Sequence, residues 1–140
     1  MVLNNVIEHL PNTAEVFAEC RRVLRAGGRL AMMTPNPDAI GHAMFGRDWR
    51  GLEPPRHLYL FSPALIGRYA HEAGFRQVET FSYAAGAGSE PNILPTSAGL
   101  AKAAGRPRRP ADLRTVERRE KLLDLVGICR GEFTMLVAHR

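Results

Sequence analysis

The first third of the chain alternates between short apolar runs and one apolar stripe at helical spacing. Residues 1–7 are apolar apart from Asn4 and Asn5, and they predict the end of a buried strand. The stripe that follows Pro11 predicts an amphipathic helix, and its members are Val16, Phe17, Cys20, Val23 and Leu24. Residues 30–33 form another apolar run, which predicts a second buried strand.

Local signals also predict where the first helix begins and ends. Asn12 with Glu15 three residues later is typical of a capping box at a helix start. Gly27 and Gly28 follow the stripe, where a helix commonly ends on a left-handed residue. Thr34 and the prolines around Asn36 are expected to stop the second strand. The order of elements here is therefore strand, helix, strand.

The rest of the chain predicts two further helix–strand pairs. Residues 35–61 lack periodicity and are expected to form a long loop, which in a compact domain is usually functional. Ser62 and Pro63 predict the start of a second helix, ended by Gly74, and residues 75–83 predict a strand. Residues 84–110 are expected to be loop-like, 110–126 helical with a Glu117–Lys121 pair, and 133–138 the last strand.

Alternation of this kind predicts an α/β fold with a mostly parallel sheet. Four strands and three helices would make a small open sheet, although a parallel sheet needs both faces covered. No helix precedes the first strand. The pattern alone therefore suggests a domain that is incomplete at its amino end.

Composition narrows the class of protein. The chain has 140 residues, 45% hydrophobic and 24% charged, which suits one globular domain rather than a disordered segment. No apolar run approaches the ~20 residues of a membrane span, and the start has no basic region typical of a secretory signal. Cys20 and Cys129 lie far apart and form no CxxC motif, so their spacing indicates neither a disulfide nor a zinc site. A reduced, cytoplasmic location is the default expectation.

The net charge of +5 comes from one segment of the chain. Residues 102–119 hold seven basic side chains against two acidic ones, so the remainder is neutral. This segment predicts one basic insertion, most simply a solvated loop and helix face, rather than a surface for nucleic acid.

Three motifs in the first 36 residues resemble a known family. They are Val6-Ile7-Glu8-His9-Leu10-Pro11, Cys20-Arg-Arg-Val-Leu-Arg-Ala-Gly-Gly28 and Thr34-Pro-Asn36. In order and spacing they are similar to the second half of a class I S-adenosylmethionine-dependent methyltransferase. Later motifs resemble its ubiquinone-biosynthesis-like small-molecule branch: Gly41-His42, Phe45-Gly46, Trp49, Pro55-Arg56-His57-Leu58, Phe61-Ser62 and Glu72-Ala-Gly-Phe75.

The resemblance implies a Rossmann-like fold of which this chain is the C-terminal half, with a mostly parallel sheet and an antiparallel last strand. Residues 1–140 would form a partial domain, with an acceptor-side loop at 35–61 and a basic insertion at 85–130. The family's glycine-rich loop, which cradles S-adenosylmethionine, does not occur before Val6. We therefore expect the cofactor to bind in the complete domain and not to this chain alone.

The resemblance also assigns candidate site residues. Asn4 and Asn5, which close the first strand, are expected to contact the cofactor, although they could simply end the strand. His9 is the candidate for orienting the acceptor or taking its proton, with His57 as the alternate. Glu8 is expected only to cap or pair within the turn.

Asn36, Trp49 and Arg56 are the candidate acceptor-binding residues. Asn36 could instead hold a turn through its own backbone, and Trp49 could anchor the loop by burial. His42, His57 and His71 lack metal-ligand spacing, so no metal site is expected.

The sequence thus predicts methyl transfer to a small-molecule acceptor, carried out as part of a larger catalytic domain. The alternative is a non-catalytic remnant, or an interaction module that pairs through its exposed first strand and so self-associates. The motifs do not identify the acceptor.

Overall fold

The computed structural model describes residues 1–84, 93–106 and 110–140, with only the backbone for 110–112. The parts of the predicted loop 84–110 at residues 85–92 and 107–109 lie outside the described residues.

Four strands form one mixed sheet in the order β1-β2-β4-β3. The strands are β1 (Val2–Asn4), β2 (Arg29–Pro35), β3 (Arg76–Tyr83) and β4 (Phe133–His139). Strand β1 pairs parallel with β2, and β4 lies antiparallel between β2 and β3. Strands β1, β2 and β3 therefore run in one direction against β4, which confirms the predicted parallel sheet with an antiparallel last strand.

Five helices accompany these strands in the described residues. They are α1 (Thr13–Val23), α2 (Ile40–Phe45), α3 (Pro63–Glu72), α4 (Ile93–Ala103) and α5 (Pro110–Leu125). Helices α1, α3 and α5 confirm the three predicted ones. The predicted pair between Glu117 and Lys121 on α5 is formed, with Nζ and Oε1 2.7 Å apart.

The predicted first strand and helix start were partly wrong. Strand β1 ends at Asn4 rather than residue 7, because Asn5 adopts a left-handed backbone (φ 50°) and a one-turn 3₁₀ segment follows at Ile7–His9. Asn12 does not cap α1 through its side chain. Its amide donates to the Glu15 carboxylate instead, at 3.0 Å.

The two predicted loops contain helices. Residues 35–61 hold α2 and two 3₁₀ turns, Gly46–Asp48 and Arg50–Leu52. Helix α2 has six residues, less than two turns, which is too short for a periodic pattern. Helix α4 has a composition rich in Ala, Gly, Pro and Ser that is more typical of loops, yet it buries one face of apolar side chains.

Apolar side chains cover both faces of the sheet. On one face α1 and α3 pack against alternate strand residues such as Leu30, Met32 and Leu136. On the other face α2, α4 and α5 gather around Trp49 and Phe133. None of the described helices is long and apolar enough to cross a bilayer.

Helix α3 begins at a side-chain cap. Ser62 Oγ accepts a hydrogen bond from the Leu65 backbone N–H at 3.3 Å, and Pro63 occupies the first helical position. The cap matters because α3 packs on β3 and closes one face of the core.

We predict that Ser62→Ala lowers the free energy of unfolding by about 1 kcal/mol, because it leaves an N–H of the first turn without its partner. Urea denaturation followed by circular dichroism measures the loss. Ser62→Gly is the matched control and should cost only a few tenths of a kcal/mol. A Ser62→Ala variant as stable as the unsubstituted chain would show that the cap does not stabilise α3.

Candidate active site

A cavity of about 290 Å³ lies at the edge of the sheet where β1 and β2 end and β4 begins. Asn5, Pro35 and Phe133 line it from these strand ends. The other lining residues come from the 3₁₀ turns, the following loop and α4: His9, Arg50, Gly51, Glu53, Arg56, His57, Ile93 and Thr96. In open α/β sheets this edge is where ligands bind.

Two imidazole rings meet in this cavity. The rings of His9 and His57 lie 4.8 Å apart between centroids, at an interplanar angle of 62°. His9 Nδ1 is 2.8 Å from the Arg56 carbonyl oxygen, and His57 Nδ1 is 2.7 Å from that of Gly51. A carbonyl oxygen only accepts, so each Nδ1 carries the hydrogen and each Nε2 keeps a lone pair. Both histidines can therefore accept a proton at Nε2.

Glu8 ties this histidine pair to the sheet. Its side chain is fully buried, and Oε2 accepts a hydrogen bond from Thr34 Oγ1 at 3.0 Å. Its Oε1 has no hydrogen-bond partner among the described residues. The Glu8 backbone carbonyl also accepts from the Leu58 N–H at 2.7 Å, which fixes the chain just beyond His57.

Glu8, His9 and His57 are also close enough to share a cation. One ligand atom of each lies within 4.8 Å of the others. Imidazole and carboxylate are ligands that suit divalent transition metals. The expectation of no metal was based on the spacing of His42, His57 and His71, whereas the fold brings His57 next to Glu8 and His9.

Glu53 concentrates charge at the mouth of the cavity. Its carboxylate pairs with Arg50 and with Arg56, the latter at 2.7 Å. Another contact, 3.5 Å from Glu53 Oε2 to His57 Nε2, becomes an ion pair once His57 has taken up a proton. The hydrogen bond from Arg50 is the largest cause that holds the pKa of Glu53 below its ordinary value, against the opposing effect of burial. An ionised Glu53 would stabilise a proton taken up by His57.

Asn5 and Arg56 are the predicted cofactor and acceptor residues that line the cavity. Asn5 Nδ2 donates to Asn4 Oδ1 at 3.1 Å, so the two asparagines are linked, but Asn4 is exposed and does not line the cavity. His9 and His57, the predicted catalytic residues, face each other inside it.

Asn36 and Trp49 lie behind the cavity wall rather than on it. Asn36 is fully buried, with Nδ2 donating to the Gly131 carbonyl at 2.8 Å and Oδ1 accepting from the Asp38 N–H at 3.1 Å. Trp49 is 1% exposed and donates from Nε1 to Glu132 Oε2 at 3.1 Å. These contacts match the turn and anchoring roles weighed for the two residues. A direct contact with the acceptor stays a prediction.

Several site residues were not predicted from the sequence. Glu8 was expected only to stabilise its turn, and Arg50, Glu53 and Thr96 were not singled out. Their roles depend on contacts across the fold rather than on a motif. A left-handed backbone at Glu53 (φ 30°) turns its side chain back toward Arg50, and no sequence signal marks this.

Comparisons with known proteins identify the family and the fold. A family model described as a methyltransferase domain matches residues 1–80. A search of curated proteins by sequence finds no match.

Solved structures of S-adenosylmethionine-dependent methyltransferases share the fold. One from Archaeoglobus fulgidus is 15% identical over 99% of this chain, with a TM-score of 0.57, and one from Thermotoga maritima is 13% identical over 99%, with a TM-score of 0.60. Phosphoethanolamine N-methyltransferase 2 from Haemonchus contortus, solved in complex with S-adenosylmethionine, is 13% identical over 99% of this chain, with a TM-score of 0.55. The chain spans 57%, 53% and 32% of these three proteins, respectively.

We predict that Glu53→Gln lowers the free energy of unfolding at pH 7 by about 1 kcal/mol or less, the range for partly exposed ion pairs. Because the folded-state pKa of Glu53 is lowered, its stabilisation is present above pH 4.5 and is lost as the pH falls below it. Urea denaturation at pH 7 and pH 3.5 should show the difference from the unsubstituted chain shrinking at the lower pH. A difference that is the same at both pH values would contradict an ionic role for Glu53.

Proposed function

The chain belongs to this methyltransferase-domain family, and we propose that it forms the acceptor side of a site for methyl transfer from S-adenosylmethionine to a small molecule. The observation that carries the proposal is the His9–His57 pair, with each Nδ1 bonded to a backbone carbonyl, at the sheet edge where ligands bind. Residues 35–61 would serve as the acceptor-side loop and 85–130 as an insertion before β4.

Asn5 fits the cofactor side of this site. Its amide lies at the end of β1 on the cavity wall and can both donate and accept hydrogen bonds. Asn4, bonded to it, would hold that amide in place. When bound, S-adenosylmethionine supplies an electrophilic methyl group.

The residues of this chain would orient the acceptor and take its proton. An acceptor hydroxyl or ammonium group near the histidine pair would lose its proton to Nε2 of His9, with His57 as the alternate. The carbonyl groups of Arg56 and Gly51 hold the two rings in the required tautomer. Glu53 would offset the positive charge that develops on His57. Arg56, at the mouth, would contact the acceptor.

We expect His9→Ala or His57→Ala to lower the turnover number about 100-fold or more, the usual range for loss of a general base, while S-adenosylmethionine affinity changes little. The assay follows a labelled methyl group into a panel of small phenols, amines and carboxylic acids, using the full reading frame that contains these residues. His71→Ala is the control, because His71 is exposed on α3 away from the cavity.

Turnover that survives both substitutions would remove the histidine pair from the mechanism. A parallel assay with a chelator tests the cation arrangement. Turnover that a chelator abolishes and added Mg²⁺ or Zn²⁺ restores would assign Glu8, His9 and His57 to a metal instead of to proton transfer.

We also predict that this 140-residue chain alone binds S-adenosylmethionine more weakly than micromolar, because it contains no glycine-rich loop before β1. Isothermal calorimetry with the isolated chain measures this. Micromolar binding would show that the described cavity holds the cofactor without that loop.

A further inference from the structure

Two buried carboxyl groups face each other behind the cavity wall. Glu120 of α5 is fully buried, and Glu132, just before β4, is 1% exposed. One oxygen of each has a donor: Gly41 N–H on Glu120 Oε1 at 3.0 Å, and Trp49 Nε1 on Glu132 Oε2 at 3.1 Å. The other two, Glu120 Oε2 and Glu132 Oε1, have no donor among the described residues. We call Glu120 and Glu132 the carboxyl pair.

A proton between the carboxyl pair would satisfy both remaining oxygens. Two ionised carboxylates side by side in a buried site repel each other and lose their hydration. Burial, and after it the charge of Glu132, raise the pKa of Glu120 to about 9. Burial raises the pKa of Glu132 to about 7, although hydrogen bonds from Trp49 and Glu120 oppose this. Between these values the carboxyl pair holds one proton, with Glu120 as the donor.

The carboxyl pair connects to the histidine pair through Trp49. The Trp49 ring lies directly against Gly51, where any side chain would overlap it. The Gly51 carbonyl is the acceptor that orients His57 Nδ1, at 2.7 Å. Trp49 also stacks with His42, with 4.5 Å between the ring centroids. The carboxyl pair thus holds the start of α2 through Gly41, and the Trp49 turn through the indole.

Other charged groups surround the carboxyl pair without neutralising it. The titratable side chains on the elements packed around it include His42, Arg47, Asp48, Arg50, Tyr83, Lys102 and Arg130, and on α5 Arg114, Glu117, Arg118, Arg119, Lys121 and Asp124. Of these, Asp124 acts on the pair, and its negative charge raises the pKa of Glu120. Asp48 is already paired with Arg106 at 2.7 Å. Within the described part of the chain, no basic side chain bonds to either carboxyl group.

We propose that Glu120 and Glu132 share one proton and act as positioning residues for His57, because the shared proton holds Trp49 and the start of α2 against the sheet. The effect on His57 rests on the proposed function, whereas the proton-dependent attachment of Trp49 does not. When this shared proton leaves at high pH, the two carboxylates separate and the Trp49 turn moves out toward water.

The single tryptophan of the chain reports this step directly. We expect the emission of Trp49 to shift to longer wavelength as the pH rises through about 9. Because both folded-state pKa values are raised, the pair's stabilisation is fully present below pH 4.5 and is lost as the pH rises through about 7 and then 9. The urea midpoint should fall over the same range.

Glu120→Gln removes the titratable proton of residue 120 and keeps the size of its side chain. A glutamine can accept from the Gly41 N–H and donate permanently to Glu132, so the Trp49 emission should no longer change between pH 7 and pH 10. Glu132→Gln is the second variant, accepting from Trp49 and donating to Glu120, and it should remove the transition as well. Glu19→Gln is the control, since Glu19 is exposed on α1 and paired with Arg22.

The proposal is overturned if Trp49 emission stays constant from pH 6 to pH 10 in the unsubstituted chain, or if folded Gln variants keep its transition. Nuclear magnetic resonance of the His57 ring should follow the Trp49 midpoint in the unsubstituted chain and not in Glu120→Gln. A His57 ring signal that does not change at the Trp49 midpoint would show that Glu120 and Glu132 do not position His57. None of these measurements needs cofactor or turnover, so they stand or fall independently of the methyl-transfer assay.

Discussion

Strand β4 is hydrogen-bonded along both of its edges, and the rest of the structure depends on this double pairing. It joins β2, from Arg29–His139 to Pro35–Phe133, and it is the strand through which β3 and α3 attach to the sheet. Because β4 is antiparallel, its first residues lie at the edge where β2 and β3 end. The segment before β4 and the loops that follow the other strands therefore meet at one edge of the sheet.

Much of the fold could be predicted from local patterns. The apolar run of β2 and the Ser62–Pro63 start of α3 depend on near neighbours in the chain, and both occur as expected. Helices α2 and α4 were missed for physical reasons. The first is too short to repeat its pattern, and the second owes its stability to burial against the Trp49 turn rather than to helix propensity.

The part of the candidate site that could be predicted consists of residues whose side-chain type itself indicates a chemical role. His9 and His57 stood out as imidazoles in a family-like context, and the fold places them together. Glu120 and Glu132 could not be found in this way. Each depends on a donor far along the chain, 79 residues from Gly41 to Glu120 and 83 from Trp49 to Glu132. In the sequence, Glu120 is one more charge in a charged helix.

The close packing at Gly41 has a consequence for how this sequence can diverge. A β-carbon at residue 41 would collide with the Glu132 carboxyl group and would lie 2.7 Å from Leu94. Alanine at this position therefore forces the Glu132 carboxyl group and the Leu94 side chain to shift, and the first shift disturbs the acceptor of the Trp49 indole. Positions 41, 49 and 132 should then change together among descendants of this chain, as one covarying set spread over three separate segments.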